Sequence, residues 1–280
     1  NPNKTQVSYT TGDHPVQAFR VSSAAPFAAP FASQWDQIKG VELALISLWQ
    51  RDTPTDRVVV KSVTDGKSIA LRLEWEDPTK DDEALYNAKF GDAAAVQFPL
   101  DPASEPFFAM GDTSLVANIW HWKSWWEKDF QAYPGVNSVF PRNATDFYPF
   151  DIAGRSTAEY FVTADSAKRL SMTWNAGWGS GNPLSVQIKN ASVEDLNAKG
   201  FGTLTTQPAE DQNVTGKGLW KDGKWAVVFI RSLEGKGTND MTLRMGSTVP
   251  VAFAIWDGSL GDRNGQKMVT NWYKLHVGPK

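Results

Sequence analysis

The sequence predicts a mainly β chain forming a single domain, with a few short helices on it. Three observations lead there. Strand-like apolar runs recur from residue 41 to residue 256, separated by clusters of Gly, Pro, Asn and Asp. The helical signals are few and short. The 280 residues include 13 Trp, a side chain whose large buried area suits a β-rich core, a sugar-binding platform or the wall of a pocket around a planar ligand. No internal repeat and no linker interrupts the chain.

In chain order, the first strand signal covers residues 41–49. Residues 57–77 read as a hairpin, with the run Val58-Val59-Val60, a turn at Asp65-Gly66, and then Ile69, Leu71, Leu73 and Trp75 alternating with Ala70, Arg72, Glu74 and Glu76. That period of two predicts one wet face and one buried face. A strand follows at 93–98, and Ser124-Trp-Trp-Glu127 opens a helix, with a capping residue and an acid three positions on. Residues 133–181 are rich in Pro, Asn, Gly and aromatics and read as a long excursion holding strands at 158–163 and 171–174. Ser192-Val-Glu-Asp195 carries the same capping pattern and predicts a second helix, stopped by Gly200. Strands at 225–232 and 249–256 come next, then a tight turn at Asp262-Arg-Asn-Gly265. From Gln266 a final strand places Lys267, Val269, Asn271, Tyr273, Leu275 and Val277 on one face, so that Lys267 opens the more apolar side. A buried ammonium is costly unless it is paired, reaches water, or is neutral and bound to something.

Composition excludes several classes. A formal charge of −3 and a pI near 5.7, with no run of Lys or Arg, leave no footprint for nucleic acid. No window approaches the roughly 20 apolar residues of a membrane span, and NPNKTQVSYT has neither a basic nor an apolar leader region, so the expectation is a cytosolic chain or one whose leader has been removed. With no Cys, disulfides, thiolate metal sites, iron–sulfur clusters and covalently attached haem are all excluded. His14, His121 and His276 lie far apart with no metal-ligand spacing, and GxSxG, P-loop and dinucleotide fingerprints are missing. Acids abound, but nothing singles out a catalytic pair.

Met110 and Lys267 remain. Most methionines fill gaps in a core, and most strand-end lysines pack their stem while the head reaches water. Their surroundings point elsewhere. The segments FGDAAAVQFPL, PFFAMGD and VANIWHWK at residues 90–123, followed by VPVAFAIWDGSLGDRNGQKMVTNWYKL, resemble the haem b-binding γ subunits of the type II DMSO reductase family of molybdoenzymes, which includes the ethylbenzene, dimethylsulfide, chlorate and selenate enzymes. The resemblance is strong over residues 90–123 and 225–275, fainter over 57–77, and lost across a possible insertion at about 133–218.

That resemblance implies a β-sandwich-like periplasmic cytochrome with one haem b and no membrane span. Met110 and Lys267 would be the axial ligands, and Phe107, Phe108, Trp120 and Trp122 candidate walls. A thioether is a soft ligand, and a lysine must lose its proton before it can bind iron, which burial favours. With both axial positions filled there is no site for substrate, so the chain would relay electrons and not catalyse. Its partners would be an iron–sulfur β subunit, a molybdenum-cofactor α subunit and an external cytochrome or quinone-linked redox partner. Lys236, in the glycine-flanked loop Ser232-Leu-Glu-Gly-Lys-Gly237, is the next candidate ligand. The competing reading is a carbohydrate-binding β-sandwich in which exposed Trp120, Trp122, Trp125 and Trp126 stack on sugar rings.

Overall fold

The structure is a computed structural model that describes residues 9–11, 15–51, 55–83, 87–132, 140–142 and 191–279. The chain divides into two compact units, residues 1–127 together with 191–280, and residues 128–190. The strands predicted at 158–163 and 171–174 lie outside the described residues. In the first unit the strands are β1 (Tyr9–Thr11), β2 (Val16–Arg20), β3 (Gly40–Ala44), β4 (Ile46–Ser47), β5 (Arg57–Thr64), β6 (Ser68–Glu76), β7 (Ala93–Pro99) and β8 (Ala117–Lys123). After α1 (Ser124–Ala132) come β9 (Val193–Ala198), β10 (Thr205–Thr206), β11 (Thr215–Lys221), β12 (Lys224–Ser232), β13 (Thr248–Trp256), β14 (Met268–Val269) and β15 (Tyr273–Val277).

Their hydrogen-bonded order is β10-β9-β8-β7-β13-β15-β2-β5-β6-β12-β11, with β14 and β4 beside β13, and β3 and β1 beside β5. The sheet folds over on itself as a β-sandwich. Val96, Phe98, Trp120, Trp122, Phe253 and Ile255 from one layer share a single core with Leu71, Leu73, Trp75, Val227 and Phe229 from the other. Trp122 fits because it lies on the bare backbone of Gly218, where a Cβ would come within 2.0 Å of the ring. Its indole N–H donates to Glu127 Oε2 at 3.0 Å, and the same oxygen accepts from Gly218 N at 2.9 Å.

Three expectations are corrected. The 57–77 hairpin forms about the predicted turn, with Gly66 at φ 85°, yet both of its faces are buried. The outer face is covered by residues 24–38, whose Phe27, Trp35 and Ile38 pack on Val63, Ala70 and Val228. Lys61 and Arg72, polar by pattern, therefore sit inside and donate to the carbonyls of Trp35 (2.8 Å) and Pro30 (2.6 Å).

The helix predicted at Ser192-Val-Glu-Asp195 is instead β9, paired antiparallel to β8. Ser192 Oγ donates to the Gly216 carbonyl and does not cap Asp195, whose N–H goes to Gln212 Oε1 at 2.8 Å. Tertiary partners outweigh the local capping pattern. Residues 193–218 of the possible insertion thus supply β9, β10 and the first part of β11 to the sheet.

The final strand from Gln266 is two strands separated by a bulge. Val269 opposes Ala254 and Tyr273 opposes Val251, so three steps along β13 match four on the partner. Thr270 spans the gap, its N–H donating to Phe253 O and its hydroxyl accepting from Phe253 N, both at 2.9 Å. The extra residue reverses the side-chain alternation, which is why Met268 and Leu275 both enter the sandwich core.

Packing at Gly218 yields a direct test. Gly218→Ala should destabilise the chain by about 1–3 kcal/mol through overpacking against Trp122. Gly265→Ala, with nothing within 4 Å of the added Cβ, should leave the unfolding midpoint in urea unchanged.

Candidate functional site

Strands β7, β8, β9 and β13 carry different side chains on their two faces. The inward face holds the large residues of the sandwich core. The outward face is built from Ala93, Ala95, Ala117, Ile119, Leu196, Ala198, Ala254, Trp256 and Val269. Cross-strand pairing lines up Val269, Ala254, Ala95, His121 and Glu194 as one row, with Trp256, Ala93 and Lys123 as the next. Methyl groups at five of these positions make a low, flat floor, and Leu48, Phe108, Met110 and Trp125 pack at its margin.

Met110 reaches the floor from the loop between β7 and β8. Gln97 Nε2 donates to Phe108 O (2.8 Å), Trp272 Nε1 to Pro106 O (2.6 Å), and Gly200 N to Met110 O (2.9 Å). Those anchors hold Met110 at φ 79°. Among the described residues, the other non-glycines with positive φ are Asp222 and Asn264, types that adopt the left-handed region readily. A methionine there costs on the order of 1–2 kcal/mol, and such strain persists where the surroundings require one side-chain position. Gly111, next in the chain, also has positive φ (80°), and a Cβ on it would meet the Leu115 and Ala198 carbonyl oxygens.

Lys267 enters from the other end of the floor. It lies two residues before Val269, on the same side of the ribbon, and its carbonyl accepts from Leu48 N at 3.2 Å. The residue is 6% exposed, and its Nζ sits 4.8 Å from the centroid of the Trp256 ring. Other buried cations have oxygen partners: Lys61 and Arg72 bond to carbonyls, Lys123 pairs with Glu194, and Arg231 bonds to the Met241 carbonyl with Asp240 beside it. Among the described residues no carboxylate pairs with Lys267. Burial alone lowers its pKa from the ordinary lysine value to about 8.

His121 also stacks on Trp256, the two ring centroids 4.7 Å apart. Its Nε2 is sealed from solvent and has no hydrogen-bond partner. Burial, and then the charges of Lys123 and Lys267, hold its pKa well below the usual histidine value, so the ring is neutral.

The structure therefore brings Met110 and Lys267 to one apolar floor. Of the four candidate walls, Phe108 packs there, while Phe107 is 48% exposed. Trp120 and Trp122 belong to the sandwich core on the opposite face, because alternate residues of a strand point to opposite sides. Their burial, with Trp126 at 9% exposure, also removes the sugar-stacking platform. Lys236 lies in an exposed loop with its Nζ on the Glu210 carbonyl. Sequence reasoning missed His121, Trp256 and the alanine floor. The signal was present in Ala93-Ala94-Ala95 and in the small residues at alternate positions of Val251-Ala-Phe-Ala-Ile-Trp256.

Comparison with known proteins gives the family. The family model described as ethylbenzene dehydrogenase matches residues 32–268, and the chain belongs to that family. A protein of Haloferax mediterranei, provisionally described as a respiratory nitrate reductase haem subunit, is 25% identical over 89% of this chain and 68% of its own length. The chlorate reductase γ subunit of Ideonella dechloratans is 26% identical over 89% and 79%. The dimethylsulfide dehydrogenase γ subunit of Rhodovulum sulfidophilum is 24% identical over 84% and 66%. Similar solved structures include a carbohydrate-binding protein, provisionally so described, from Bacteroides uniformis (9% identity, 96% and 99% coverage, TM-score 0.47). Another is a family 9 carbohydrate-binding module from Caldicellulosiruptor kristjanssonii with glucose (8% identity, 95% and 96% coverage, TM-score 0.45). Likeness at that level carries no functional argument.

The lowered pKa of Lys267 has a measurable consequence. Between about pH 8 and the ordinary lysine value of 10.5, the unfolded chain keeps a proton that the folded chain has released, so stability rises with pH in that window. Lys267→Met lacks this proton, and its stability advantage over the unsubstituted chain should shrink by roughly 3 kcal/mol from pH 8 to 10.5. Urea unfolding of both chains without bound cofactor measures it, and a constant difference would mean that the ammonium is solvated.

Proposed function

We propose that this chain is the electron-transfer γ subunit of a periplasmic molybdoenzyme complex and holds one haem b on the alanine floor between Met110 and Lys267. One observation supports this above all others. A buried lysine with no anionic partner among the described residues and a methionine held in a strained backbone border the same apolar surface. Each is hard to explain as packing, and both are the side chains such a ligation requires. Relatives described as haem or γ subunits support the same reading.

The residues fit the group. A methyl-floored face accommodates a planar macrocycle, and neutral His121 adds no charge beneath it. Burial places Lys267 near pKa 8, so its amine gives up a proton to bind metal far more readily than an exposed lysine would. The anchored loop fixes the Met110 thioether without an induced movement. Held there by Met110 and Lys267, haem b would supply one-electron transfer. The chain itself would not be a catalyst. Electrons would pass between it and the iron–sulfur β subunit, which connects to a molybdenum-cofactor α subunit, and an external cytochrome or quinone-linked protein would be the other partner.

Oxidised and dithionite-reduced absorption spectra with a pyridine haemochrome assay test the reading. The expected result is a sharp Soret band and b-type α and β bands in the reduced chain. Lys267→Ala and Met110→Ala should each lose the low-spin signature, and Lys236→Ala should keep it. A colourless chain that fails to take up added haem would refute the proposal, and loss of the signature in Lys236→Ala with retention in Lys267→Ala would move the ligand.

A further inference from the structure

Three strand ends meet at one corner of the sandwich, and each brings an aspartate. Asp77 follows β6, Asp92 precedes β7 and Asp257 follows β13. All three are buried, at 0%, 0% and 7% exposure, and one oxygen from each lies within 4.8 Å of the others. Asp92 accepts from Gly258 N on Oδ1 (2.8 Å), and from Asp81 N (2.7 Å) and Trp225 Nε1 (2.8 Å) on Oδ2. Asp257 Oδ1 accepts from Ser259 N (3.0 Å), Ser259 Oγ (2.6 Å) and Leu260 N (3.3 Å). These N–H partners call for the ionised acid. In Asp77, Oδ1 accepts from Thr79 N (3.0 Å) and Oγ1 (3.3 Å), whereas Oδ2 is sealed from solvent and has no partner at all.

The charge is uncompensated. Among the described residues no Lys or Arg nitrogen lies within 4.0 Å of these carboxylates, and the nearby Arg51 is paired with Asp262. Burial and mutual repulsion push Asp77 up to about 6 and Asp92 to about 8. A group of this kind needs either a proton or a cation.

We infer that Asp77, Asp92 and Asp257 form a divalent-cation site, with Asp77 Oδ2 as its free donor and calcium as its ion. The donors are all oxygen, which excludes the nitrogen- and sulfur-seeking metals. They come from three loops with irregular geometry, which suits calcium better than the strict octahedron of magnesium. Asp92 and Asp257 directly adjoin Ala93 and Trp256, so the ion would tie together the two strand ends beneath the alanine floor.

Calcium titration of the full chain, with metal analysis of the purified protein, tests this. The expected result is one calcium per chain, retained or taken up with a Kd on the order of 10⁻⁶–10⁻⁴ M. The melting temperature should be several degrees higher in calcium than in EGTA, with a smaller shift in equal magnesium. Asp77→Asn should weaken binding by about 10–100-fold, while exposed Asp101→Asn leaves it unchanged. Absence of bound calcium, of binding heat and of any calcium-dependent melting shift in the unsubstituted chain would overturn the inference, whether or not Asp77→Asn folds. Unweakened binding by a folded Asp77→Asn chain would also overturn it.

Discussion

The strict alternation of side chains along β7, β8, β9 and β13 is the constraint on which the rest of the structure depends. Each of these strands closes the sandwich with one face and presents the methyl floor with the other. A slip of one residue would put Trp120 and Trp122 where His121 and Lys123 stand, filling the floor and emptying the core together. The register is therefore protected twice, by the volume needed inside and the flatness needed outside. The Thr270 bulge belongs to the same constraint, since it lets one ribbon present Lys267 and Val269 outward before it returns Leu275 to the core.

Buried charge is distributed unevenly about this frame. Lys123 and Glu194 share the outward face as a sealed pair, and Lys61 and Arg72 are satisfied by carbonyls of the covering segment. Such groups hold segments together at little net gain or loss. Lys267 differs because, among the described residues, its ammonium faces the Trp256 ring and no carboxylate pairs with it, and a cation–π contact is worth about 0.5–2 kcal/mol, less than the desolvation of an ammonium. Burial thus favours the neutral amine here more than at an exposed lysine, lowering its pKa to about 8.

Strands were legible where alternation was strong, and the Asp65-Gly66 turn stood out because its chemistry is local. Helix α1 begins at Ser124 as expected, but Ser124 Oγ donates to the Asp81 carbonyl and Glu127 accepts from Trp122 and Gly218, so the expected cap is replaced by distant partners. The helix expected at Ser192 failed for the opposite reason. Glu194 pairs with Lys123 and Asp195 Oδ1 accepts from Asn118, partners distant in the chain that no local rule sees. The bulge was equally hidden, since nothing in Thr270-Asn-Trp272 announces an extra residue before the pairing is known. Met110 and Lys267 were singled out by the resemblance of their segments. The floor between them required three-dimensional register, because alanine in a strand otherwise reads as an absence of signal.

β15 lies between β13 and β2, pairing Leu275 with Val16 and Val277 with Ala18 in parallel. Almost the whole length of the sequence separates those partners. Contacts of such span form late, after the loop-closure entropy has been overcome. A chain emerging from the ribosome therefore cannot seal its sheet until residues 273–277 have been made, and Lys267 arrives scarcely earlier. Until β15 pairs with β13 and β2, the floor is an open, greasy ledge whose Lys267 rim is not yet held in place.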